Sequence, residues 1–179
     1  MKVLAFAASS SKTSINRKLV NHVAERYKSA ICPEASIESI DLIDYEMPLF
    51  RPDRESEEGI PAMAQDFFAK IGEADIVFVS FAEYNGFYTP VYKNLFDWAS
   101  RINQRVYQDK PMFLMATSPG GRGGANVLKT AADSAPHFGM DVKATFSVPS
   151  FQDNFDVEKN QLSNTELDQQ LDAELEKLK

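Results

Sequence analysis

Ala74-Asp75-Ile76-Val77-Phe78-Val79-Ser80-Phe81-Ala82-Glu83-Tyr84-Asn85-Gly86 carries the architectural signal of this chain. From Ala74 to Phe81 the run is dominated by apolar side chains, many of them β-branched or aromatic. A strand with one wet face alternates polar and apolar residues. This one does not, so both of its faces are covered, as in a parallel sheet between two helical layers. The run then breaks at once into a polar turn containing glycine.

Two other segments repeat the pattern. Val3 to Ala8 is a short apolar run that opens into Ser9-Ser10-Ser11-Lys12-Thr13-Ser14, and Pro111 to Thr117 opens into Ser118-Pro119-Gly120-Gly121-Arg122-Gly123-Gly124. Ile37 to Leu42 and Asp141 to Val148 alternate, as strands nearer a sheet edge do. Helical spacing fills the gaps between these strands. Ile15, Leu19, Val23 and Tyr27 recur every four residues, with Thr13 or Ser14 placed to cap them. A helix is expected from Pro61 to about Ile71, with proline in its first turn. Others are expected from Pro90 to Arg101 and over Val127 to Ala135. A last helix carries Leu167, Leu171, Leu175 and Leu178, opened by a Ser163–Glu166 capping box. Residues 43–60, including Met47 to Pro52, read as a long loop. Strand and helix alternate throughout, so the expected fold is α/β with right-handed crossovers. No repeat or linker divides the chain, so residues 1–179 are expected to form one domain.

Composition narrows the function. The 179 residues are 44% hydrophobic and 25% charged, in the range of ordinary globular chains. A net charge of −7 argues against a nucleic-acid binder, which needs clustered Lys and Arg to neutralise phosphates. One phosphorylated ligand needs only a local site. Cys32 has no partner for an internal disulfide, and His22 and His137 show no metal-ligand spacing. No metal is expected. No apolar run is long enough to span a membrane, and the first apolar segment is too short for a secretory signal. A cytoplasmic location is expected.

Open α/β sheets bind ligands beyond the carboxyl ends of their strands, where the strand order reverses. The loops Ser9–Asn16, Ala82–Tyr88 and Thr117–Gly124 leave the three most apolar strands, and all three are rich in small, hydroxyl or glycine residues. The first precedes a helix start, which presents free N–H groups and the positive end of the helix dipole to a phosphate. Simple helix capping is the plainer reading of the same serines. The glycines of the third loop let main chain approach a flat ligand, or merely form a turn. The spacing matches neither a dinucleotide GxGxxG nor a Walker loop. No nucleophile elbow appears, and no acid-base constellation. Phosphate donors without a catalytic dyad suit a cofactor that carries the chemistry itself.

At these loops the chain resembles the NAD(P)H-dependent FMN reductase family, which includes quinone, chromate and azo-dye reductases. Glu83-Tyr84-Asn85-Gly86, Lys93-Asn94 and Asp97-Trp98-Ala99-Ser100-Arg101 are similar to the family's P-E-Y-N-G…K-N-x-x-D-W-x-S-R block. Ser118-Pro119-Gly120-Gly121-x-Gly123-Gly124 is similar to S-P-G-G-x-G-G, and Ser9-x-Ser11-x-x-Ser14-x-Asn16 to G-S-x-R-x-x-S-x-N. The resemblance implies a flavodoxin-like, doubly wound five-stranded parallel sheet of order 2-1-3-4-5 with helices on both faces. It implies non-covalent FMN, with NADPH or NADH as electron donor and a small acceptor such as a quinone, azo compound or metal oxyanion. Ser9, Ser11, Ser14 and Asn16, with the Ile15 amide, would hold the phosphate. Glu83, Tyr84, Asn85 and Gly86 would line the isoalloxazine, and Ser118, Gly120 and Gly121 its other side. Chemistry would rest with FMN rather than with a catalytic side chain. A homodimer or homotetramer is also implied.

The chain departs from the pattern at four places. Ala8 stands for Gly, Ala82 for Pro, and Phe87-Tyr88-Thr89-Pro90 for a smaller stretch. Ser11 stands where the family often has Arg, which leaves Lys12 or Arg17 as the replacement cation. The competing readings are an electron-carrying or redox-sensing flavoprotein without nicotinamide turnover, and a flavin-free module on the same fold.

Overall fold

A computed structural model describes all 179 residues. Five parallel strands form one sheet: β1 (Lys2–Ala8), β2 (Ser36–Ile40), β3 (Ile76–Phe81), β4 (Lys110–Thr117) and β5 (Met140–Val148), in the order β2-β1-β3-β4-β5. The chain leaves β1 toward β2, then returns past β1 to β3. The order therefore reverses at β1, whose Val3 lies beside Ile37 on one side and Ile76 on the other. Open α/β sheets bind ligands at such a reversal, as flavodoxin binds FMN.

Two cores explain the unbroken apolar strands. Helix α1 (Ile15–Ala30) covers one face, where Leu19, Val23 and Tyr27 meet Val3, Ala5, Phe78 and Phe113. Helices α3 (Ala62–Glu73), α4 (Pro90–Ile102) and α5 (Ala125–Ser134) cover the other. There Phe67, Leu95, Phe96 and Val127 meet Leu4, Phe6, Val77, Val79 and Leu114. Successive residues of β3 thus enter different cores, and none of its positions faces water.

The last helix, α7 (Thr165–Glu176), joins the α1 face, and Leu167, Leu171, Leu175 and Leu178 are spent on the chain's own core. Its start corrects the sequence reading. Asn164, not Ser163, is the cap: its Oδ1 accepts from the amides of Glu166 and Leu167. The Ser163 hydroxyl donates to the Asp153 carbonyl instead.

Other boundaries also differ from expectation. The second strand ends at Ile40, because Leu42–Tyr45 turns into a 3-10 helix capped by Asp41. The expected long loop contains a short helix, α2 (Pro52–Glu58), with proline in its first turn and no buried residue. A hidden apolar face is what periodicity detects, and α2 has none. Past β5 lie a single turn, α6 (Phe151–Asn154), and a two-residue hairpin, β6 (Phe155–Asp156) with β7 (Gln161–Leu162). Both are too short to show a period. His137 sits in a 3-10 turn following α5. No helix is long and apolar enough to cross a membrane.

Candidate functional site

The turn after β1 is a set of serines bonded to one another. Ser9 Oγ accepts from the Ser11 amide at 3.2 Å, and Ser11 Oγ from the Thr13 amide at 3.3 Å. Ser14 is the N-cap of α1, its Oγ accepting from the Arg17 amide at 3.2 Å. Ser9 and Ser14 use lone pairs on the main chain and keep their protons to donate outward, while Ser11 Oγ also lies 3.5 Å from Thr13 Oγ1. The next two amides, Ile15 and Asn16, make no bond within the chain, as the first turn of a helix dictates. Hydroxyl protons and free amides together form a donor site for an anion.

Asn16 has a different task from its neighbours. Its buried Oδ1 accepts from Ser80 Oγ at 2.7 Å and from the Thr117 amide at 3.0 Å, while Nδ2 donates to the Thr117 carbonyl at 3.1 Å. One side chain thereby ties the first turn of α1 to the ends of β3 and β4. What Asn16 presents to the cleft is main chain. Arg17 is likewise committed: it pairs with Asp41 at 2.8 Å and donates to the Ser11 carbonyl at 2.9 Å. Lys12 lines a neighbouring cavity rather than the serine cleft. Neither cation replaces the arginine that the family pattern has at position 11.

The wall after β3 is a two-residue hairpin. Tyr84 and Phe87 exchange main-chain hydrogen bonds at 3.0 and 3.1 Å, and Asn85 and Gly86 between them have φ of 52° and 87°. Positive φ at both central positions is a type I′ turn, for which Asn-Gly is the favoured pair. The Asn-Gly signal was present in the sequence. The turn sends Tyr84 and Phe87 outward, 49% and 69% exposed. Tyr88 goes the other way and packs on Phe81 and Tyr92, ring centroids 5.6 and 5.0 Å away. Thr89 caps α4 and donates to the Ala8 carbonyl at 2.9 Å, closing the turn against β1.

Glu83 reaches across to the third wall, where its carboxylate accepts from the Val127 amide at 2.9 Å in the first turn of α5. In the loop after β4, two glycines are demanded by the chain itself. Gly123 (φ 58°) and Gly124 (φ 77°) are left-handed, and a Cβ on either would strike Pro149 or Ala116 at 2.9 Å. Gly120 and Gly121 are not so constrained. A Cβ on Gly121 meets nothing within 4 Å, and one on Gly120 meets only the Ser118 hydroxyl at 4.0 Å. The Gly120 carbonyl is held by Gly123, Ser118 and Ser150.

Ser9, Ser11, Ser14, Ile15, Asn16, Glu83, Tyr84 and Ser118 line one cleft of about 220 Å³ at the strand ends. Asn85, Gly86, Gly120 and Gly121 lie in the adjoining turns rather than on that lining. Sequence reading gave no role to Asn94 and Trp98 beyond their place in the motif. Asn94 Oδ1 accepts from Phe50, its Nδ2 donates to Met47 and Pro48, and Trp98 Nε1 donates to Pro48 at 2.7 Å. Together they strap the 47–50 loop to α4.

The cleft is lined by hydroxyls, main chain and the Glu83 carboxylate, which the Val127 amide holds. Burial pushes the Tyr88, Tyr92 and Tyr107 hydroxyls above the ordinary tyrosine range. A hydrogen bond to Glu34, with burial, raises the Cys32 thiol. Positioning and anion binding are what the arrangement offers.

Known proteins resemble this chain. The chain is 34% identical over 124 residues to an NADPH:quinone oxidoreductase of Arabidopsis thaliana; the match covers 69% of this chain and 61% of that protein's length. The flavoenzyme NAD(P)H:(acceptor) oxidoreductase FerB from Paracoccus denitrificans superposes with a TM-score of 0.71 at 22% identity, over 98% of this chain and 95% of that one. An FMN-dependent NADH-azoreductase from Bacillus anthracis, solved with FMN, gives 0.64 at 14% identity over 98% and 97%. These structural likenesses establish the flavodoxin-like fold. The serine turn, the Asn-Gly hairpin and the glycine loop all lie within residues 1–153, where the NADPH-dependent FMN reductase model matches, and the chain belongs to that family.

Proposed function

We propose that this protein is an FMN-dependent reductase that takes hydride from NAD(P)H and delivers electrons to a small acceptor of the quinone or azo type. One observation carries the reading: hydroxyl protons and the unpartnered Ile15 and Asn16 amides converge on a cleft at the point where strand order reverses. FMN, when bound, supplies the hydride and electron chemistry. The chain's own residues position and shield it. Ser9, Ser11 and Ser14, with the two amides, take the phosphate, without a direct cation. Asn16 holds their turn in register with β3 and β4. The Glu83–Gly86 hairpin and the Ser118–Gly121 segment take the ring between them. Glycine at 121 has no internal cause, which fits a position where main chain meets a flat ligand.

We place this activity on one domain, in the cytoplasm and in a self-associated form. Exposed Tyr84 and Phe87 on the cleft's hairpin, and exposed Leu49 on the loop strapped to α4, support association, and a single free cysteine fits a reducing compartment. Two measurements test the function. Purified protein should take up FMN, seen in its visible absorbance, and should oxidise NADPH in the presence of a quinone. FMN uptake without NAD(P)H oxidation would instead establish an electron carrier. No uptake would overturn the flavin reading. Light scattering should show a species larger than 20.1 kDa.

A further inference from the structure

Of all the asparagines in the chain, only Asn85 is followed by glycine. That pair forms the tip of the hairpin after β3. Asn85 is exposed, its side-chain amide makes no hydrogen bond within the chain, and the Gly86 amide makes none either. Gly86 has no side chain to shield its nitrogen, and a Cβ built there would meet only Asn126 Nδ2, at 3.6 Å. Other asparagines are held: Asn16, Asn94, Asn154 and Asn164 all donate through their side-chain amides to acceptors elsewhere in the chain. Asn160 is exposed and shares the left-handed φ, 52°, but Gln161 follows it.

We propose that Asn85 is a site of spontaneous deamidation, and that its conversion ages the cleft of the FMN-free protein. The Gly86 main-chain nitrogen attacks Asn85 Cγ, the Cγ–Nδ2 bond breaks, and the Gly86 amide proton leaves with the departing ammonia. A five-membered succinimide remains. Water opens it at either carbonyl, giving aspartate or isoaspartate at that position. The sum is one water consumed and one ammonia released, with no oxidant or metal. Ring closure swings the Asn85–Gly86 peptide out of its turn geometry, so the hairpin opens first. Two main-chain bonds between Tyr84 and Phe87 hold it, with no ladder beyond them, and both flanking rings are exposed. A segment with so few buried contacts opens locally at small cost. Either product adds a carboxylate to the cleft wall, and isoaspartate also adds a carbon to the main chain, so the Tyr84–Phe87 pairing loses its register. On the reductase reading above, a ring seated on the hairpin keeps it closed, and the cofactor protects its own site.

The test incubates the FMN-free protein in mildly alkaline buffer and maps its peptides by mass. Asn85 should convert before any other asparagine, with Asn160 as the internal control, and isoaspartyl methyltransferase should label the Asn85 peptide. Conversion of another asparagine first, or conversion of Asn85 in urea but not in the folded protein, would overturn the proposal. So would equal FMN affinity in aged and fresh protein. FMN at about 100 times its Kd should slow the conversion roughly tenfold or more, because it stabilises the closed hairpin by mass action. Undiminished conversion in protein that has taken up FMN would overturn the protection. Absent FMN uptake by fresh protein strikes the reductase reading instead, while the FMN-free incubation still reads Asn85.

Discussion

The Glu83 carboxylate, just past the end of β3, accepts a hydrogen bond from the Val127 amide in the first turn of α5 at 2.9 Å. The bond spans the cleft, tying the hairpin wall to the helix behind the glycine loop. It also places negative charge at the N-terminus of α5. Glu83→Ala should lower the stability of the FMN-free protein by about 1–3 kcal/mol, as for a lost bond to a charged acceptor, and weaken FMN binding. Glu83→Gln keeps an acceptor and should recover most of that loss. Urea unfolding and FMN titration of the two variants check this. Equal effects of Ala and Gln would show that charge, not the bond, matters.

Ser14 separates capping from ligand binding. Asp caps helices as well as Ser, so Ser14→Asp should leave the melting temperature of the FMN-free protein unchanged or slightly raised. The same carboxylate stands where the phosphate belongs, and like charges repel. FMN affinity should fall at least tenfold. Unchanged affinity in a folded variant would remove Ser14 from the phosphate site.

The four loop glycines divide by cause. Gly123→Ala forces a left-handed residue against Pro149 and should destabilise by about 2 kcal/mol or more. Gly121→Ala enters open space and should change stability by under about 0.5 kcal/mol, while impairing FMN binding. Thermal melts with and without FMN distinguish the two.

Asn16→Ala removes three hydrogen bonds and leaves Ser80 Oγ and both main-chain groups of Thr117 buried without partners. The expected loss is about 3 kcal/mol or more, read by denaturant unfolding. A loss under about 1 kcal/mol would mean that the ends of β3 and β4 do not depend on this residue.

His22 sets an acid limit. Its Nδ1 lies 3.0 Å from the Asn160 carbonyl, which can only accept, so Nδ1 carries the proton and Nε2 is left bare and buried. Burial, outweighing the carbonyl and nearby Asp168, holds the imidazole below its ordinary value, and Arg26 adds to the shift. The unfolded chain therefore binds this proton more readily. Stability is full above about pH 6.5 and falls as pH drops below it. His22→Gln should flatten that fall in unfolding experiments between about pH 7.5 and 5.

The sheet and its helices were legible in the sequence because burial imposes a period. Ile76–Phe81 enters two cores at alternate residues, so it is apolar except at Ser80, whose hydroxyl is bonded to Asn16. Leu167 to Leu178 marked a face that proved to be used on the chain's own sheet. The loops at the strand ends were legible as loops, and their serines and glycines as a place for a flat phosphorylated ligand. What each polar residue does there was not legible. Asn16 reads as one more donor beside Ser14, yet it ties the start of α1 to β3 and β4. Glu83 reads as part of a flavin-lining segment, yet its carboxylate caps α5. Arg17 reads as a spare cation, yet Asp41 holds it. Asn94 and Trp98 read as motif letters, yet they strap a distant loop. Periodicity records how much of a residue is hidden, which is a local property repeated along the chain. A hydrogen-bond partner 44 or 101 positions away is set only when crossovers bring strand ends together, and no pattern along the chain encodes that distance.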